Sequence, residues 1–113
     1  MNDDRLYLIH IGECIERVED YTKGGEVEFA GSRLIEDAIL RNLQVLAEST
    51  QRLSADLKAA HPQTDWQAIA GFRNVLVHGY LGVDLDRVWA IVRDELPKLK
   101  AAVQRMLDEL SSA

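Results

Sequence analysis

A chain of 113 residues, 47% hydrophobic and 28% charged, has the composition of one globular domain (residues 1–113) and is too short for two separate cores. Its formal net charge of −6 argues against a general nucleic-acid coat, because such binding rests on phosphate neutralisation by Lys and Arg. A single cysteine, Cys14, rules out an intrachain disulfide and gives no zinc pattern.

No apolar run approaches the ~18 residues of a membrane span. The acidic residues 1–5 lack the layout of a signal peptide. The expectation is a cytosolic protein with no membrane partner. Residues 3–22 read as a first helix with Asn2 or Asp3 as N-cap. Leu8, Ile11, Ile15 and Val18 form one stripe of the 3.6-residue period, and Cys14 sits beside them. A redox role for Cys14 is outweighed by that of a small buried hydrophobe. His10, Glu13, Glu16, Glu19 and Asp20 form a solvated acidic face. Lys23-Gly24-Gly25 ends the helix, and residues 26–31 are either a loop or the frayed start of the next helix.

The second helix spans residues 32–53. At ~100° per residue, Arg33, Asp37, Arg41, Gln44, Glu48, Gln51 and Arg52 collect in a narrow polar sector, and apolar side chains fill most of the remainder. A helix apolar on so many sides needs cover on more than one of them. In so short a chain a second copy can supply it, so a homodimer is expected. Asn42 falls between Ile39 and Leu46. It is either a surface amide or a buried one that bonds a partner across the core or the interface.

Ser54 caps a short helix to Ala60, which His61-Pro62 stops; His61 reads as an exposed loop residue. Thr64 or Asp65 caps the next helix, along which Trp66, Ile69, Arg73, Leu76 and Tyr80 recur at heptad-like spacing. A further helix starts at Asp84, with Leu85, Val88, Trp89, Val92 and Leu96 as its apolar face. Pro97 can begin the last helix in its first turn, with Leu99, Val103, Met106, Leu107 and Leu110 inward. The fold class is an all-α antiparallel bundle of about five helices.

The chemistry gathers at residues 71–80, where Arg73, Asn74, His78 and Tyr80 interrupt an apolar segment. Left unpaired in a core, each would forfeit its hydration, so the cluster is either a hydrogen-bonded network or a site. On a helix Arg73 and Tyr80 share a face, whereas Arg73 and His78 diverge by about 140°. They converge if the helix breaks near His78-Gly79, if the Arg side chain wraps round, or if a two-fold axis brings two copies together. Guanidinium holds phosphate bidentately, and imidazole exchanges protons near neutral pH. Metal-independent cleavage of RNA through the ribose 2′-hydroxyl needs little more. No metal cluster or Gly-rich phosphate loop is evident in the sequence, so neither metal nor cofactor is called for. From spacing alone, a structural polar cluster stands ahead of catalysis.

Residues 62–99 nevertheless resemble the HepT family of small HEPN-domain ribonuclease toxins. The matching features are Pro62 and Trp66, then Ile69-Ala70-Gly71-Phe72-Arg73-Asn74, and the motif Arg73, four residues, His78, one residue, Tyr80. Val83-Asp84, Val88-Trp89 and Leu96-Pro97-Lys98-Leu99 continue it, and Leu43-Gln44-Val45-Leu46-Ala47-Glu48 is similar to that family's central helix. The sequence departs at Ala47, where Gly is common, and at Asp65, where Pro is usual; both touch packing and capping only. The resemblance implies a helical homodimer with the Arg and His motifs in a cleft at the two-fold axis, cutting RNA without metal. It implies a type VII-like toxin–antitoxin system, in which an MNT-type nucleotidyltransferase neutralises the toxin by transferring AMP to Tyr80. Arg73 would hold the scissile phosphate, His78 would move the proton, and Asn74 and Asn42 would support them. Tyr80 is then exposed at the mouth of the site rather than buried in a seam with Trp66 and Leu76. The rival readings are a non-catalytic HEPN module that binds nucleotide, RNA or the partner enzyme, and a structural dimerisation domain.

Overall fold

The computed structural model describes residues 3–72 and 84–112. Its first helix, α1 (Asp4–Tyr21), buries Leu8, Ile11, Cys14, Ile15 and Val18, the stripe its periodicity predicts. Asp3 stands at the N-cap, yet its side chain makes no capping bond. The neighbouring Asp4 has the structural role instead. It is 2% exposed and accepts hydrogen bonds from the Ser54 backbone N–H at 2.8 Å and the Ser54 hydroxyl at 2.6 Å.

At the other end of α1, Thr22 donates its hydroxyl to the Val18 carbonyl at 2.8 Å. Gly25 then turns the chain with a φ of +85°, a left-handed conformation that Gly adopts without a Cβ clash. The next residues are neither a loop nor a frayed end but a separate helix, α2 (Gly25–Gly31). So short a segment gains little from propensity alone. Phe29 anchors it, buried against Trp89 with ring centroids 5.3 Å apart.

Ser32 separates α2 from α3 (Arg33–Gln51) because its backbone is extended, and its hydroxyl accepts from the Ile35 N–H as a helix cap. α3 buries Ile39, Leu43, Leu46 and Ala47 against α1. Ile35, Leu40 and Val45 pack partly against the core, and Leu34 is 81% exposed. Ser54, Asp65 and Asp84 each cap the next helix, accepting from the N–H of Leu57, Ala68 and Arg87 respectively. Those helices are α4 (Ala55–Ala60), α5 (Trp66–Ala70) and α6 (Leu85–Ala90).

Pro97 lies in the first turn of the last helix, where the sequence places it. α6 passes through a π-helical segment, Ile91–Glu95, straight into α7 (Leu96–Ser112). A proline here removes the N–H that would bond the Arg93 carbonyl, and its ring crowds that oxygen. The wider π turn, with Leu96 N–H donating to the Ile91 carbonyl, relieves this and lets the helix continue.

Three distant contacts set the directions. Asp4 ties the start of α1 to Ser54 beyond the end of α3, so these helices run antiparallel. Arg5 donates to Ser111 at one end of α1, and Lys100 pairs with Glu19 at 2.9 Å at the other, so α1 and α7 are antiparallel as well. The result is an all-helical antiparallel bundle with α1 shared between α3 and α7. Among the described residues no helix is long and apolar enough to cross a membrane.

Removing the Asp4 carboxylate strands a part-buried N–H and hydroxyl at the α3–α4 junction. Charge-assisted hydrogen bonds of this kind contribute ~1.5–3 kcal/mol, so Asp4→Ala should lower the urea-unfolding free energy by about 2 kcal/mol. A loss below about 0.5 kcal/mol would show that Asp4 does not hold this corner.

Candidate functional site

Arg73, Asn74, His78 and Tyr80 lie outside the described residues. The structure does describe the frame on both sides of them. Upstream, the Asp65 carboxylate starts α5 by accepting from Ala68 N–H at 2.9 Å. The Trp66 indole N–H then spans the preceding turn, donating to the carbonyls of Lys58 at 3.2 Å and His61 at 3.0 Å. Ile69 and Phe72 are buried in the core, and α5 packs on α3. Downstream, Asp84 caps α6, Val88 is fully buried and Trp89 rests on Phe29. The motif is therefore carried between two anchored helices, each started by an aspartate cap and each fixed by a large apolar side chain.

Asn42 is the one supporting candidate within the described residues. It is half-buried on α3, between the fully buried Ile39 and Leu46. Its amide donates to the Ala38 carbonyl at 2.8 Å, one turn back on the same helix. Among the described residues it makes no cross-core bond.

His61 overturns its expected exposure. It is 6% exposed, and its Nε2 lies 3.0 Å from the Glu109 carboxylate on α7. The turn after α4 folds onto the far end of α7, and the Trp66 indole clamps the His61 carbonyl, so the ring is drawn inward. Nothing in the local sequence signals this, because Glu109 is 48 positions away. Asp4 escaped notice for the same reason: its partner Ser54 is 50 residues distant.

The other candidates for chemistry stand apart from any cluster or are buried. His10 reaches Glu13 only at 4.0 Å on an open surface. Cys14 is fully buried in the α1 stripe. Burial pushes its thiol above the ordinary value; Arg17 opposes that shift and Glu13 adds to it. Among the described residues no group of three or more His, Cys, Asp or Glu side chains is arranged to hold a metal ion.

The comparisons with known proteins agree with this frame. Residues 11–106 match the family described as ribonuclease HepT-like. Over 109 residues the chain is 34% identical to a Methanocaldococcus jannaschii protein named a gamma-glutamylcyclotransferase and, provisionally, an RNase. That alignment covers 96% of this chain but 49% of the relative, so the chain spans about half that protein's length. A second M. jannaschii protein, provisionally named an RNase, is 31% identical over 103 residues, covering 90% of this chain and 94% of the relative. A Thermococcus cleftensis protein, provisionally named ribonuclease HepT, is also 31% identical over 103 residues, 88% of this chain and 92% of the relative. No solved structure matches the chain significantly. The described residues form an all-helical bundle of HEPN-like type. The chain belongs to the HepT-like ribonuclease family.

A thiol that is both enclosed and raised in pKa is a poor nucleophile, since thiolate is the reactive form. At pH 8 Cys14 should stay unlabelled by a thiol reagent in the native protein and react at once in denaturant. Rapid native labelling would contradict its place in the core.

Proposed function

We propose that the chain is a toxin endoribonuclease of a type VII-like toxin–antitoxin pair, cutting RNA without metal as a cytosolic homodimer. The observation that carries this is membership of the HepT-like ribonuclease family across residues 11–106, with Arg73 and His78 inside that span. Support for the dimer comes from apolar surface that one chain leaves uncovered. Leu34 on α3 is 81% exposed, Val27 on α2 88% and Leu6 on α1 65%, and Ile35, Leu40 and Val45 of α3 are only partly covered; a second copy would bury apolar surface of this kind.

In the proposed reaction His78 takes the proton of the ribose 2′-hydroxyl, whose oxygen attacks the adjacent phosphorus. The bond from phosphorus to the 5′-oxygen breaks, that oxygen receives a proton, and a 2′,3′-cyclic phosphate remains. Arg73 holds the scissile phosphate and meets the charge that builds on it. Asn74 orients the groups beside it, and Asn42 supports from α3. Across a two-fold axis the second copy brings its own Arg73 and His78 to the same cleft.

Control is assigned to Tyr80. Its hydroxyl attacks the α-phosphorus of ATP in the site of an MNT-type nucleotidyltransferase, pyrophosphate leaves, and an O-AMP-tyrosine results. A bulky anion there competes with RNA phosphate for Arg73. The second reading, a HEPN module that binds nucleotide, RNA or partner without cutting, draws its support from the net charge of −6, which disfavours a polyanionic substrate.

Purified protein should cut RNA in excess chelator and leave cyclic or 3′-phosphate ends. Arg73→Ala and His78→Ala should each reduce the rate by about a hundredfold or more without loss of helicity. Activity that depends on added magnesium, or that survives either substitution, would contradict the assignment. With the nucleotidyltransferase and ATP, AMP mass should map to Tyr80 and silence cleavage. Mapping to Tyr7 or Tyr21 would overturn the control scheme.

A further inference from the structure

A cleft of about 520 Å³ opens between the turn ahead of α5 and the face of α7, a size in the usual range for small-ligand sites. Its floor is apolar: Ile69, Leu99 and Ala102 line it and are nearly buried. Its rim carries two cations, Lys98 and Arg105, seven residues apart on one face of α7 and so about 10.5 Å apart along the axis. Arg105 makes no ion pair or hydrogen bond among the described residues, and Lys98 has only a 4.0 Å approach to Glu95 on an open surface. Both side chains are available to a ligand. The opposite wall is formed by Gln63 and Thr64 of the turn ahead of α5.

We propose that this cleft is a nucleotide subsite for the RNA strand beside the scissile bond, with a base on the Ile69–Leu99–Ala102 floor and its flanking phosphates on Lys98 and Arg105. The inference rests on the ribonuclease reading, and it extends that reading to a place the motif does not occupy. Three observations select this ligand. The apolar floor suits the face of a base, which a bare anion does not need. The axial separation of the cations suits two phosphates joined by a nucleoside better than one phosphate group. The lining also contains Asp65 and Glu95, so its net charge is balanced; two discrete contacts fit that balance, whereas a long polyanionic track does not. Asp65 is already committed to capping Ala68 N–H. Finally, Ile69 stands four residues before Arg73, so the α5 segment that floors the cleft leads directly into the motif.

The test is binding of a fluorescent oligoribonucleotide to the full chain carrying His78→Ala, so that cleavage does not obscure affinity. Neutralising both cations, Lys98→Gln with Arg105→Gln, should weaken binding about tenfold. It should also make the slope of log affinity against log salt shallower by about 1.4, two phosphates at ~0.7 each for a single strand. The charge-retaining pair, Lys98→Arg with Arg105→Lys, should bind like the parent. AMP should displace the labelled strand at lower concentration than inorganic phosphate. Unchanged affinity and slope in the neutralised protein would overturn the subsite, as would inorganic phosphate displacing the strand as well as AMP does. If wild-type protein cuts no RNA while the cation variants still lose binding, the subsite stands and the catalytic reading fails.

Discussion

The structure depends on α1 packing antiparallel to two partners at once. Its Leu8, Ile11, Ile15 and Val18 leave essentially no exposed surface, and the residues that cover them come from α3 on one side and α7 on the other. Apolar burial is non-directional and cannot by itself choose the orientation of helices. Here the choice falls to polar ties at the ends: Asp4 with Ser54, Arg5 with Ser111, Glu19 with Lys100. The buried Asp4 tie is the strong one, because the exposed pairs are screened by solvent. Once α3 and α7 are held, α5 lies on α3 and the turn ahead of it lies on α7.

That turn joins the core to the site. The His61 imidazole meets Glu109, the Trp66 indole meets two carbonyls, and Asp65 begins α5. Each removes freedom from the chain just ahead of Arg73. Downstream, the Phe29–Trp89 pair does the same for α6 and gives α2 its reason to exist. A proton-transfer site needs its groups held to a fraction of an ångström. Independent anchoring of the two flanking helices would serve the proton-transfer site proposed for Arg73 and His78.

Local signals in the sequence carried well into the structure. The α1 stripe, the left-handed glycine after it, and the Ser32, Ser54, Asp65 and Asp84 starts all act within a few residues, so a pattern read along the chain captures them. The features that escaped depend on distance. α2 forms because Phe29 finds Trp89, sixty positions later; His61 is buried because Glu109 and α7 cover it; Asp4 matters because Ser54 is brought to it. Pro97 was legible as a first-turn residue of the last helix, whereas the π turn that joins that helix to α6 left no signal in the sequence. For Arg73, Asn74, His78 and Tyr80, spacing alone left several geometries open, and the roles proposed for them rest on the family resemblance rather than on periodicity.

The central claim is that the ribose 2′-hydroxyl is the nucleophile, since this is what lets an Arg and a His suffice. The most direct measurement uses an RNA with a mapped cut site and a single 2′-deoxyribose on the 5′ side of that phosphate. The account predicts that this one bond becomes resistant while the remaining cut sites in the same strand are cleaved as before. Cleavage that persists at the deoxy-substituted position would mean that the nucleophile is external, and would contradict the mechanism assigned to Arg73 and His78.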